Sequence, residues 1–373
     1  MTSLRLPSLE VKGFRAFRHL RIERLGLVNL IVGKNCTGKS SLLEALRLYA
    51  HRGSPEIVKE LLAARDEISG AYRFERADEQ ALVRAIRHLF CGRQDLAAQP
   101  KTIQVGPLDS PEDTLLISTN WYTEKPVAEP DQRRWHKVEP DQVQEVDSLW
   151  LGIEIGLGDK RLFSSPLHLF FDRPFRFLSW PPEGKSIPSI FVPANGLDGD
   201  QVGLLWNNVL LTPLEEDILN GLRIIVPEAR RLGLLDELKQ RRGEKRVPVL
   251  SVEGHEEPVP LRSMGEGLSR LFGIALALVS ASDGLLLIDE VDSGLHYSVQ
   301  GDLWRLIFQV ANRLNVQVFA TTHSWDSIEG FQHSVRGEEG MLIRLEERQG
   351  EIVPILFDAK RLSIATRQDI EVR

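Results

Sequence analysis

At 373 residues, with 42% hydrophobic and 27% charged side chains, the chain has the composition of a globular protein large enough for a full α/β core and an extra lobe. A net charge of -7 excludes a surface that is basic all over, though not a local basic groove, and two cysteines, Cys36 and Cys91, exclude a disulfide framework or a paired-cysteine zinc site. The longest apolar run, Leu271 to Ala281, is far short of the roughly 20 residues that span a bilayer, and no charged-then-apolar leader opens the chain, so a reduced, cytoplasmic setting without membrane contact is expected.

Alternation around Leu9 and Val11, then Phe14, Phe17, Leu20 and Ile22, predicts two strands with a turn near Gly13. The apolar run Val28 to Val32 predicts a buried strand, followed by a Gly-rich turn and a helix through Leu42, Leu43, Ala45, Leu46 and Leu48. Residues from about Gly53 to Gly92 are helical in pattern and charged. Short strands are expected at Thr102–Val105, Leu115–Thr119, Trp150–Ile155 and Leu167–Phe171, with a surface loop over Glu124 to Asp147. A strand at Ser189–Val192, helices from Gln201 to about Leu234 and a strand at Val247–Val252 come next. The last third alternates strand and helix at Leu285–Ile288, Ser298–Leu314, Val316–Ala320 and Met341–Leu345, the pattern of a parallel, doubly wound sheet.

Gly33-Lys34-Asn35-Cys36-Thr37-Gly38-Lys39-Ser40 has the P-loop spacing G-x-x-x-x-G-K-[ST], and it follows an apolar strand and opens a helix. Backbone N–H groups there cradle phosphates, with Lys39 reaching the β- and γ-phosphates and Ser40, ahead of Ser41, on Mg²⁺. Leu285 to Ile288 delivers Asp289 and Glu290 to a strand end, Asp289 for the metal and Glu290 for orienting the attacking water. Ser263-Met264-Gly265-Glu266-Gly267 opens another helix and makes a second anion cradle, which one ATP on one chain does not need. His323, after the strand Val316–Ala320, is placed to hydrogen-bond a γ-phosphate. Each of the last two segments is weak alone; a helix cap and a structural histidine are the plain readings.

With those residues on view, the sequence resembles the ABC-type ATPases of the RecF, SMC and OLD-nuclease group. The likeness runs through Leu9 to Phe17, Val28 to Asn35, Val259 to Gly267, Asp289 to His296, His323 and the tail from Ala365 to Arg373, roughly the first 50 and last 170 residues. It implies an α/β P-loop head with a mixed or parallel sheet, N-terminal antiparallel strands and an inserted α+β lobe. Its parts would be residues 1–52 with the P-loop, an insert at 53–188, and 189–373 with signature, Walker B, D-loop and H-loop. It also implies ATP and Mg²⁺ as cofactors and a homodimer that sandwiches nucleotide, with Ser293 to His296 crossing the interface. Expected nucleotide contacts are Arg15, Gly33, Asn35, Cys36, Thr37, Gly38, Lys39, Ser40, Ser41, Ser263, Gly265 and Glu266, with catalytic Glu290 and His323 and metal ligands Ser40 and Asp289. The chain departs from the group in lacking a coiled-coil arm, in offering only Asn195 for the Q-loop glutamine, and in lacking the acidic nuclease domain that OLD nucleases carry after the head.

Two readings of function stand at this point. One is an ATPase whose cycle gates DNA or RNA work, in repair or antiphage defence, through a separate effector. The other is a slow-turnover scaffold or sensor that holds a toxin or nuclease. The insert is the expected contact surface, and Arg84, Arg87 and Arg93 form either a phosphate-facing strip or a solvated helix face. A transporter subunit is disfavoured by the long spacing from Ser40 to Ser263, and a GTPase by the lack of an N-K-x-D motif.

Overall fold

The computed structural model describes residues 4–68, 79–93, 96, 101–126, 133–138, 148–172, 186–236, 246–335, 337, 339–368 and 371–372. The chain opens with a hairpin, β1 (Leu9–Phe14) and β2 (Phe17–Ile22), then β3 (Val28–Val32) and α1 (Lys39–Ala50). α2 (Pro55–Ala63) starts where Ser54 caps Ile57, and α3 (Glu79–Arg87) follows. β4 (Thr102–Gly106), β5 (Leu115–Pro126), β6 (Arg133–Val138), β7 (Trp150–Leu157) and β8 (Lys160–Pro166) come next and end in α4 (Leu167–Asp172). These strands continue the hairpin in one antiparallel sheet, order β2-β1-β4-β5-β7-β8 with β6 beside β5. The stretch expected as an insert is therefore hydrogen-bonded directly to the N-terminal strands.

The second half begins with β9 (Ser189–Val192), α5 (Gly199–Val209), which Asp198 and Gln201 close with a capping box, and α6 (Leu214–Leu222). β10 (Ala229–Asp236), β11 (Arg246–Val252) and the short β12 (Val259–Pro260) form a small antiparallel sheet. Then come α7 (Glu266–Ser280), β13 (Leu285–Ile288), α8 (Gln300–Leu314), β14 (Gln317–Thr321), α9 (Trp325–Ser334), β15 (Gly340–Arg348), β16 (Glu351–Phe357) and α10 (Ala359–Arg367). The central sheet has the order β16-β15-β3-β14-β13-β9; all its pairings are parallel except the β16 edge.

The continuous apolar runs of β3, β13 and β14 are explained by burial on both faces. Leu30, Leu286, Ile288, Val318 and Ala320 point into a core with α7 and α8, while Ile31, Leu285, Leu287 and Phe319 point into a second core with α1 and the antiparallel sheet. Three expectations are corrected. Leu167–Phe171 is helix, not strand, because Leu167 and Phe170 are buried at a spacing of three along α4. Helix does not reach Leu234: Pro227 disfavours helix at Val226, and Ala229–Asp236 pairs with β11 instead. The loop expected over Glu124–Asp147 holds the end of β5 and all of β6; residues 127–132 and 139–147 lie outside the described residues.

Candidate nucleotide site

β3 ends at Gly33, whose φ of 148° and surroundings admit no side chain: a Cβ would stand 2.5 Å from the Leu345 carbonyl oxygen and 2.7 Å from Thr37 Oγ1. Thr37 Oγ1 donates to the Lys34 carbonyl (2.9 Å), which holds the loop closed. Gly38, at φ 88°, caps α1 and packs on the Phe17 ring. The loop is thus curled with its N–H groups at the start of a helix, an anion site by both dipole and unpaired donors. Lys39 folds back over it and donates to the carbonyls of Gly33 (2.8 Å) and Lys34 (3.0 Å). Burial holds its ammonium below the usual lysine range, against the pull of Asp289 and Glu290. A phosphate is a better partner for a desolvated ammonium than two neutral carbonyls.

Beside it is a corner of oxygen atoms. Ser40 Oγ donates to Asp289 Oδ2 at 3.0 Å, and Thr321 Oγ1 donates to Asp289 Oδ1 at 2.6 Å. The Glu290 N–H donates to Thr321 Oγ1 at 2.8 Å, and Glu290 itself takes φ 49°. One hydroxyl and one carboxylate fit Mg²⁺, a hard cation that keeps several waters and takes the rest of its ligands from phosphates. No cluster of three or more His, Cys, Asp or Glu suited to a metal occurs among the described residues. Arg15, Asn35, Cys36, Gly38, Lys39, Ser40, Ser41, Asp289, Glu290, Thr321 and His323 line one cleft of about 550 Å³, within the roughly 300–1,000 Å³ of small-molecule sites.

Arg15 lies on this cleft but its guanidinium is already engaged. Its side chain is 4% exposed, pairs with Glu44, and donates through Nη1 to both Glu67 oxygens at 2.8 Å and through Nη2 to the Leu61 carbonyl at 3.2 Å. The cradle residues Ser263, Gly265 and Glu266 are exposed at the start of α7 and do not line the cleft of their own chain. Asn195 is exposed and stands apart from the cleft as well.

Three cleft residues, Arg65, His88 and Gly92, escaped the motif reading, as did Arg270 behind it, while Arg93, read from the sequence only as part of an arginine strip, lines the cleft too. Arg270 is 6% exposed on α7 and donates to the carbonyls of Pro193 (2.5 Å), Asp289 (2.7 Å) and Glu290 (3.0 Å). A lone arginine in an otherwise apolar helix run was the signal available for it.

Two family models match. One is described as "AAA domain, putative AbiEii toxin, Type IV TA system" and covers residues 204–328; the other, an AAA domain, covers 8–81. An ATP/GTP phosphatase of Helicobacter pylori is 21% identical over 362 residues, which is 90% of this chain and 89% of that protein. An uncharacterised protein of Methanocaldococcus jannaschii is 38% identical over 90 residues, covering 24% of this chain and 78% of that one. Among solved structures, an SMC head bound to the C-winged helix domain of ScpA aligns with a TM-score of 0.52 at 15% identity, over 95% of this chain and 99% of that chain, a likeness of fold. With a P-loop, a Ser–Asp corner and AAA-domain matches over residues 8–81 and 204–328, the chain is similar to AAA-domain P-loop ATPases, and its fold is that of an SMC-type head.

Proposed function

We propose that this chain binds ATP with Mg²⁺, hydrolyses it, and does so as a homodimer whose closing and opening drives a separate effector in nucleic-acid processing. The observation that carries the first part is the Ser40–Asp289–Thr321 corner next to Lys39 and Glu290. Mg²⁺ would be held by Ser40 and Asp289 and would neutralise charge on the β- and γ-phosphates. Lys39 binds those phosphates, Glu290 orients the attacking water and accepts its proton, and His323 hydrogen-bonds the terminal phosphate. The signature residues support the dimer: an exposed cradle off its own cleft suits the nucleotide of a second copy. The printed name of the Helicobacter pylori relative supports hydrolysis. The toxin wording of one family model favours a second reading, an ATP-bound sensor that restrains a toxin partner.

The test separates binding from turnover. Lys39→Ala is expected to lose ATP affinity, whereas Glu290→Gln binds ATP and loses turnover by at least about 10²-fold. With ATP, the Glu290→Gln protein is expected to dimerise in light scattering and the Ser263→Arg, Glu290→Gln double variant to stay monomeric. Near-normal hydrolysis by Glu290→Gln, or equal dimer fractions, refutes the assignment. Stimulation of turnover by DNA or RNA favours the first reading over the sensor.

A further inference from the structure

The cleft has two ends. At one stand Asp289, Glu290 and His323, the end for the terminal phosphate and metal. From Ser41 a path of contacts leads away from it: Arg65 donates to Ser41 Oγ at 3.3 Å and to Glu44 at 2.7 Å, Glu44 pairs with Arg15, and Arg15 Nη1 reaches the His88 carbonyl at 3.5 Å. With the phosphates at the P-loop helix start, His88, Gly92 and Arg93, which line the same cleft, are the residues left for the rest of a nucleotide.

That far wall is fixed to the fold. The Arg15 N–H donates to the Leu89 carbonyl at 2.8 Å, Phe14 and Phe90 form an isolated bridge, and the Arg93 N–H donates to the Phe90 carbonyl at 3.2 Å. Leu89 and Phe90 are buried, so the segment is anchored on the β1–β2 hairpin while Gly92 and Arg93 turn outward with φ of 78° and 47°. Gly92 has no side chain to hold off a flat ring. Arg93 is exposed, whereas Arg15 beside it is spent on two carboxylates.

We propose that Arg93, together with Gly92 and His88, holds the nucleoside moiety of the bound nucleotide, with the Arg93 guanidinium stacked on the base. This rests on the reading of the cleft as an ATP site. A planar, weakly hydrated guanidinium stacks on π-faces, which a lysine ammonium does not do. Burial, with Arg93, Arg87 and Arg15 adding to it against Glu67, lowers the affinity of His88 for a proton. Of the arginine strip seen in the sequence, Arg93 lines this cleft while Arg84 and Arg87, on α3, do not.

The test compares ATP with inorganic tripolyphosphate, each with Mg²⁺, on the full chain by calorimetry. Arg93→Ala is expected to weaken ATP roughly tenfold, the scale of one base–side-chain stack, and to leave tripolyphosphate within twofold. Arg93→Lys should recover little of the loss. Equal losses for ATP and tripolyphosphate would make Arg93 a phosphate ligand, and an unchanged ATP affinity a solvated charge; either overturns the proposal. Lys39→Ala should lose both ligands, so a wild type that binds neither would refute the ATP site itself rather than the role of Arg93 within it.

Discussion

Arg270→Met tests how the Glu290 carboxylate, the proposed catalytic group, is held. Methionine keeps the aliphatic stem in the α7 core but removes three donors, those now on the carbonyls of Pro193, Asp289 and Glu290. Charge-assisted hydrogen bonds contribute about 1.5–3 kcal/mol each. Two offsets reduce the sum: burial already disfavours the guanidinium, and its Nε finds no acceptor among the described residues. A net loss of about 3 kcal/mol is expected; with an unfolding entropy of about 2.1 cal/mol/K per residue, a chain of 373 residues melts about 4 °C lower. The functional loss should exceed that. Glu290 sits at φ 49°, a conformation that costs about 1–3 kcal/mol and is held from both sides, by Thr321 on its N–H and Arg270 on its carbonyl. Without Arg270 the turn relaxes and the carboxylate moves off the attacking water, so turnover should fall about tenfold or more at 20 °C, where the variant is still folded. Scanning calorimetry and a phosphate-release assay measure both. A variant that melts within 1 °C of wild type and hydrolyses ATP normally would refute this account.

Two glycines make opposite predictions. Gly33→Ala must displace the Leu345 carbonyl 2.5 Å away and should abolish ATP binding with a destabilisation of about 2 kcal/mol or more, whereas Gly301→Ala, in α8 with open space around it, should stabilise by roughly 0.5–1 kcal/mol; calorimetric melting of both decides, and similar effects would contradict the packing argument. Burial, then Arg47, lowers the proton affinity of His51, which closes α1 and bonds Ser189 of β9 at 2.9 Å. With its folded value below the ordinary 6.5, stability is full above that pH and declines as pH falls toward the folded value, because the unfolded chain takes the proton first. His51→Gln should flatten the melting temperature between pH 7.5 and 5.5 relative to wild type, and parallel slopes for the two proteins would refute it.

Much of the site was legible because its parts are local. A strand that ends in a glycine turn and opens a helix is a contiguous signal, as is a four-residue apolar strand that ends in Asp289 and Glu290, and parallel strands buried on both faces leave unbroken apolar runs. Where local signals are degenerate the reading failed: Leu-His-Leu-Phe-Phe serves a strand or a short helix equally, and only burial of Leu167 and Phe170 on one side decides for α4. β10 was hidden for the same reason, since its residues are apolar enough for a helix and its partner β11 supplies the pairing. The sequence by itself determined the P-loop, the acidic strand end and the alternating order of the second half. Only the tertiary structure decided that Arg15 is taken by Glu44 and Glu67, that Arg270 reaches behind Glu290, and that Arg93 arrives at the cleft. Those three outcomes depend on contacts between residues 15 and 67, 270 and 290, and 14 and 90. A charged side chain carries no mark in the sequence of which distant carboxylate, carbonyl or ligand it will meet; the packing of strands and helices sets that.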